Sequence, residues 1–406
     1  MKNALHLNYN QIKLNFIEIV SKEKDFHLLS RTDQQIQGEK HLDQVFESIS
    51  QFVLPDQKQI ILNQLLTEVV WGLQSIQEYQ DDPEVEEIMI NGFDGVFIKK
   101  RMNDQFELTD SKLDREELSI IIERLLEGSG RRVDRSMPIV DTRIADGSRV
   151  NVVVEPISPQ GPLITIRKFP EEVYSPNDLI DFGMFPKSVG EFLAEAVHLK
   201  ANILISGGTA TGKTTLTSAI LSWVPGGEKG ERVVLIEETA ELATPRNLLN
   251  LVRLETRPPN VDGKGELTIR DLVKNALRMR PDRIIVGEAR GGEAYDLLQA
   301  MNTGHPGSMS TIHANSPESA VNRLESLVLL AGFQELPLSV IRSWIISSID
   351  LFIQLKRDER HHRVISKICS FSTSGKLNTL YEIDQKDFSI SNMKTTKFFN
   401  SLKEKH

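Results

Sequence analysis

The run Gly207-Gly208-Thr209-Ala210-Thr211-Gly212-Lys213-Thr214 fits the pattern GxxxxGK[ST] at every fixed position, and it follows the apolar residues ILIS. Residues of these types at this spacing can hold a phosphate chain. Glycines let the backbone wrap closely and aim N–H groups inward, and a helix that begins after the loop adds its positive end. Lys213 then reaches the β- and γ-phosphates, the Thr214 hydroxyl can coordinate Mg²⁺, and Thr215 extends the cradle into the helix. A glycine turn without a ligand is the bland alternative. A buried strand before the loop and a helix after it weigh against that reading.

Cleaving a phosphate also requires carboxylates near the metal and the attacking water, held at the ends of neighbouring strands. RIIVGE places Glu288 at the end of an apolar run, where it can hold Mg²⁺ through water, although Gly287 stands where an aspartate is more usual. RVVLIEETAE offers Glu237, Glu238 and Glu241 just past another strand. Helix capping or plain surface exposure are the competing roles for these acids. His313, in SMSTIHANS, follows a further apolar strand and can face the same phosphate, or be structural. Arginines cluster earlier in the chain, among them Arg149 and Arg167, and guanidinium groups stabilise charge on a transferred phosphoryl.

Several elements must position these residues. Residues 1–38 show no sustained hydrophobic period and are expected to be mobile or weakly folded. Over 39–82, apolar residues recur three to four apart, which predicts a small helical accessory region. The stretches VEEIMING, GVFIKKR and RVNVVVEP alternate, and ELSIIIERLLEGSG reads as a helix ending in glycines, so 83–169 is expected to be an α+β domain. Residues 170–178 (PEEVYSPND) have the composition of a linker. From 179 to 385 strands alternate with helices, the pattern of a largely parallel sheet covered on both faces, closing with ISSIDLFIQL, HHRVISKICSF and LNTLYEID as terminal strands. Thr268 with Asp271 resembles a capping box, and Ser316-Pro317 reads as a helix start. Residues 386–406 form a polar tail.

Bulk properties narrow the function classes. Acids number 57 against 48 bases, a net charge of −9, so the global balance does not favour nonspecific binding to nucleic acid or anionic lipid. No aromatic-rich basic groove of the kind a nucleic-acid motor uses is evident. Cys369 is the single cysteine, which excludes an internal disulfide. With neither a basic-then-apolar leader nor an 18-residue apolar span in view, a cytoplasmic protein is expected, its membrane contact made only through partners.

The segments RVDRSMPIVDTRIADGSRVN, GPLITIRKF, ISGGTATGKTTL and the long run from NLVRLETRPPNVDGKGE to TIHANSPESAVNRLES resemble the secretion-superfamily ATPases, most closely the CpaF-like motor ATPases of Tad-type pili. The resemblance spans roughly 83–355. It implies an α/β fold in which a RecA-like P-loop domain with a parallel-rich sheet follows an α+β N-terminal domain. It further implies a homo-hexamer at the cytoplasmic face of the bacterial inner membrane that uses ATP and Mg²⁺ to drive platform proteins of a pilus machine. By position, Glu241 matches the general base of the acidic box, Glu288 the Walker B glutamate, His313 the His-box residue, and Arg149 and Arg167 the N-terminal-domain arginines that reach phosphates. The acidic box departs from many relatives, with Glu238 in place of aspartate and Thr239 in place of proline. A type IV secretion or DNA-uptake motor would use the same site, and a nucleotide-gated scaffold would bind ATP without turnover.

Overall fold

The computed structural model describes residues 2–23, 26, 29, 31–49, 55–66, 70, 72–101, 105–169, 173–257, 259, 264–360, 362–372, 374–383 and 392–405. The chain divides into two compact units, Met1–Phe169 and Pro170–His406.

The first unit begins with α1 (Lys2–Lys22), α2 (Arg31–Ser48) and α3 (Pro55–Leu65). Within the segment 1–38, expected to be mobile or weakly folded, the described residues of α1 and the start of α2 are helical. Ile12, Phe16 and Val20, one residue per turn on α1, are buried with Phe26, with Leu42 and Val45 of α2, and with Leu62 and Leu65 of α3. A stripe this narrow, diluted by polar neighbours, becomes a core only when two other helices close over it.

A 3₁₀ turn and α4 (Gln77–Asp81) lead into a six-stranded antiparallel sheet. Its strands are β1 (Val85–Asn91), β2 (Val96–Lys100), β3 (Phe106–Leu108), β4 (Ile139–Arg143), β5 (Arg149–Val153) and β6 (Leu163–Arg167), in the order β3-β2-β1-β6-β5-β4. Helix α5 (Arg115–Leu126), between β3 and β4, starts at Asp114, whose carboxylate accepts the Glu117 N–H at 2.8 Å. Leu118, Ile121 and Leu125 of α5 pack with the alternate residues Ile88, Ile90, Val150, Val152, Ile164 and Ile166, so one sheet face is covered by this helix.

In the second unit the first part of the expected linker, 170–172, lies outside the described residues. Its later part is helical: Ser175 and Asp178 cap each other reciprocally and open α6 (Pro176–Asp181), which α7 (Lys187–His198) follows. The elements then run β7 (Ile203–Gly207), α8 (Lys213–Leu221), β8 (Val233–Glu237), β9 (Leu251–Glu255), α9 (Ile269–Ala276), β10 (Arg283–Val286), α10 (Glu293–Asn302), β11 (Met309–His313), α11 (Pro317–Leu330), α12 (Leu338–Ser348), β12 (Leu351–Arg357), β13 (Arg363–Phe371) and β14 (Leu377–Glu382). The capping box of Thr268 with Asp271 and the Ser316 cap are both present. Within ISSIDLFIQL only the part from Leu351 is strand; its first residues end α12.

The eight strands stand in the order β14-β13-β12-β7-β11-β10-β8-β9, parallel from β12 to β9. Alternate residues serve opposite faces: Ile203, Ile205, Val233 and Leu235 enter one core, while Leu204, Val234 and Ile236 enter the other. The expected polar tail is partly a docked helix, α13 (Asn392–Lys405). Leu402 is buried, and the Phe398 and Phe399 rings lie 5.7 and 5.2 Å from Phe192 of α7. Residues 386–391 lie outside the described residues.

Cys369 on β13 is fully buried, and that burial pushes its thiol up to about 11. A thiol-reactive maleimide at pH 8 should therefore leave the native protein unlabelled and modify it at the rate of global unfolding in denaturant. Rapid stoichiometric labelling without denaturant would contradict the packing of this strand.

Candidate active site

The loop from Gly207 to Thr214 joins the buried strand β7 to α8. Its glycines are steric necessities. A Cβ on Gly207 would stand 2.5 Å from the Thr211 Oγ1, and Gly212 has φ +91°. Ala210 also adopts positive φ, +56°, at the exposed apex beside Thr209. Thr211 donates its hydroxyl hydrogen to the Gly208 carbonyl at 2.9 Å and so closes the loop on itself. Among the described residues, no N–H of residues 209–212 donates to a backbone carbonyl outside helix or strand ladders, and the Thr214 hydroxyl has no hydrogen-bond partner. These groups are thus left available to an anion cradled by the loop. Thr214 and Thr215 follow on the first turn of α8, both half-buried.

Lys213 is buried, and its ammonium donates to the Gly207 and Gly208 carbonyls at 3.1 and 2.9 Å. Burial holds its pKa below the usual lysine range, with Glu288 pulling the other way. His313 ends β11 in register with Gly207, and its Nδ1 lies 3.5 Å from the Lys213 Nζ. Its Nε2 lies 3.3 Å from the Glu288 carboxylate. Desolvation, followed by the nearby Lys213 charge, lowers the imidazole pKa, so His313 is neutral near pH 7.

Glu288 follows the end of β10. Burial alone would raise its carboxyl, but the Arg290 hydrogen bond and the charges of Arg290, His313 and Lys213 outweigh burial and keep it ionised. Arg290 forks between two strand ends: Nη2 reaches Glu288 at 2.9 Å and Nη1 reaches Glu238 at 2.7 Å. The Glu288 hydrogen bond raises the arginine's own pKa further, with the charges of Glu288, Glu238 and Glu241 adding to it. Three acids that would repel one another are thus gathered around one guanidinium.

Glu237, the last residue of β8, is 3% exposed and turns inward. Its Oε1 accepts the N–H groups of Glu241 and Leu242, both at 2.8 Å, and the Arg253 Nε stands 3.7 Å from Oε2. Burial raises its carboxyl above the ordinary range even so. This side chain braces the loop that carries Glu238 and Glu241. It also explains Gly287, because a Cβ there would stand 3.1 Å from the Glu237 Cγ. An aspartate at 287 would compete for the same space.

The structure thus brings the phosphate loop, Lys213, His313, Glu288, Glu238 and Glu241 to one end of the parallel sheet, beyond the carboxyl ends of its strands, where open α/β sheets bind ligands. Arg149 and Arg167 belong to the first unit, opposite each other on β5 and β6, with the Arg167 Nε 3.9 Å from Glu87. Sequence reasoning missed Arg290 and the bracing role of Glu237. The spacing of Arg290, two residues beyond Glu288, was the available signal. Among the described residues no three His, Cys, Asp or Glu side chains form a metal site by themselves. The Thr214 hydroxyl and the Glu288 carboxylate are oxygen donors of the kind a hard cation such as Mg²⁺ takes.

A family profile described as type II/IV secretion system protein matches residues 72–390. Conjugal transfer protein TrbB of Rhizobium radiobacter is 32% identical over 285 residues, covering 70% of this chain and 83% of its own length. Type IV secretion system protein VirB11 of Bartonella henselae is 31% identical over 274 residues, covering 58% and 74%. The crystal structure of the pilus retraction motor PilT with bound ADP superposes with a TM-score of 0.54 at 17% identity, covering 83% of this chain and 90% of that one, a likeness of fold.

Proposed function

This chain belongs to the type II/IV secretion system protein family, a family of ATPases, and we propose that it is a homo-hexameric motor driving a Tad-type pilus. One observation carries the catalytic part: an unbroken series of contacts from Lys213 through His313 and Glu288 to Arg290 and Glu238 links the phosphate loop to the acidic loop. In this reading Lys213 leaves the Gly207 and Gly208 carbonyls for the β- and γ-phosphates of ATP. Residues 207–215 hold the phosphate chain. Glu241 takes the proton of the attacking water, and neutral His313 reports on the γ-phosphate to the loop. Thr214, and Glu288 through water, would hold Mg²⁺, which would neutralise phosphate charge.

The Tad assignment is supported by the segment 250–326, whose pattern is that of CpaF-like motors. It implies inner-membrane platform proteins as partners and a place at the cytoplasmic face. No helix among the described residues is long and apolar enough to cross a membrane. A type IV secretion or DNA-transfer motor is the second reading, favoured by the TrbB and VirB11 relatives.

The wild-type chain should hydrolyse ATP with a mass by light scattering of six protomers, and deletion of its gene should abolish surface pili. A monomer without turnover would overturn the motor reading. Intact pili with lost DNA transfer would replace the first cargo by the second.

A further inference from the structure

The strand order decides where the two ends of a bound nucleotide lie. Strands β11, β10 and β8, which deliver His313, Glu288 and the acidic loop, all stand on one side of β7. The phosphate to be cleaved must meet those groups, so the α-phosphate and nucleoside extend across the loop toward β12 and β13.

On that side β12 runs against the loop, with Leu355 in register with Gly207; a Cβ on Gly207 would stand 3.1 Å from the Leu355 carbonyl. Its last residue, Arg357, donates from Nη2 to the Ala210 carbonyl at 3.2 Å and so holds the apex of the loop. Directly opposite Arg357 on β13 is Arg363. A Cβ on Gly212 would meet the Arg363 Cδ at 3.4 Å and the Met184 Cε at 3.2 Å, so both side chains lie along the last glycine of the loop. The Ile365 N–H donates to the Met184 carbonyl at 2.8 Å and ties these two walls together.

Among the described residues the Arg363 guanidinium has no hydrogen bond or ion pair. The nearby Asp358 accepts the backbone N–H groups of Arg360 and His362 inside the turn, and its other oxygen lies 3.6 Å from the His362 ring. Like charges directly opposite in a sheet oppose pairing, and an anion between them relieves the cost. We propose that Arg363 is a nucleotide-binding residue that takes the α-phosphate of a nucleoside di- or triphosphate, with Met184 as apolar neighbour of the base and Arg357 fixing the loop. This rests on the reading of residues 207–214 as an ATP site.

Full-length wild-type, Arg363→Gln, Arg363→Lys and Lys213→Ala proteins would be titrated with a fluorescent ADP and assayed for ATP turnover. Arg363→Gln should weaken ADP binding and raise KM for ATP by the same factor, about tenfold, the size of one lost charge-assisted bond. The effect should fall on KM more than on kcat, and Arg363→Lys should recover part of it. Should the glutamine variant not fold, Arg363→Met keeps the stem against Gly212 and gives the same readout. Unchanged ADP affinity, or a loss in kcat at constant KM, would overturn the assignment. If Lys213→Ala also binds ADP as wild type does, the phosphate-site reading itself fails, independently of Arg363.

Discussion

Lys213→Ala loses ATP turnover by a factor of about a thousand or more, the range expected when a preorganised cation aimed at developing phosphoryl charge is removed. No other lysine or arginine reaches the Gly207 and Gly208 carbonyls among the described residues, so nothing in the loop substitutes for the lost ammonium. The fold should survive. Residue 213 opens α8, alanine is the best helix former, and the buried contacts of α8 come from Leu216, Ala219 and Ile220. Truncation also removes a desolvated charge whose pKa is already lowered by burial, which limits the stability cost. Steady-state turnover and a thermal melt on the same sample check both halves. A variant that hydrolyses ATP at the wild-type rate would remove residues 207–214 from the chemistry, whatever the fold.

The second large effect separates two acids four residues apart. Glu241→Gln should lower kcat by about 10²- to 10⁴-fold, the usual contribution of a general base, while leaving ADP affinity near wild type. Glu237→Gln should cost far less in kcat. A glutamine carbonyl at 237 can still accept the N–H groups of Glu241 and Leu242, so the acidic loop keeps its brace. Single-turnover measurements with both variants distinguish a base from a brace. If Glu241→Gln turns over normally, the proton goes elsewhere, and Glu238 and Glu288 are the acids left around Arg290.

Local chemistry explains what was legible. The phosphate loop is encoded within eight consecutive residues, because a tight turn of backbone N–H groups needs glycines at fixed places and a lysine at its end. The caps at Thr268 and Ser316 were readable for the same reason: each satisfies N–H groups only three residues away. Alternation of apolar strands with helices was enough to predict a parallel sheet. The helices Lys2–Lys22 and Asn392–Lys405, inside segments expected to be weakly folded (1–38) and a polar tail (386–406), were not legible, since their apolar stripes are too sparse to announce a helix without the surfaces that bury them.

By itself, then, the sequence determined that a nucleotide loop sits between a buried strand and a helix, and it named the acids and the histidine at neighbouring strand ends. Only the tertiary structure decided which of those groups meet. Strand order is set by packing between segments up to 148 residues apart, as in the contact of Ser206 with Gln354, and no local pattern records it. That order places β10 and β8 side by side, so Arg290 can bridge Glu288 and Glu238, and it leaves Arg357 and Arg363 across the loop from them. Burial made the remaining distinction: three glutamates in one short stretch look alike on paper, but Glu237 alone turns inward to hold the loop that the other two occupy.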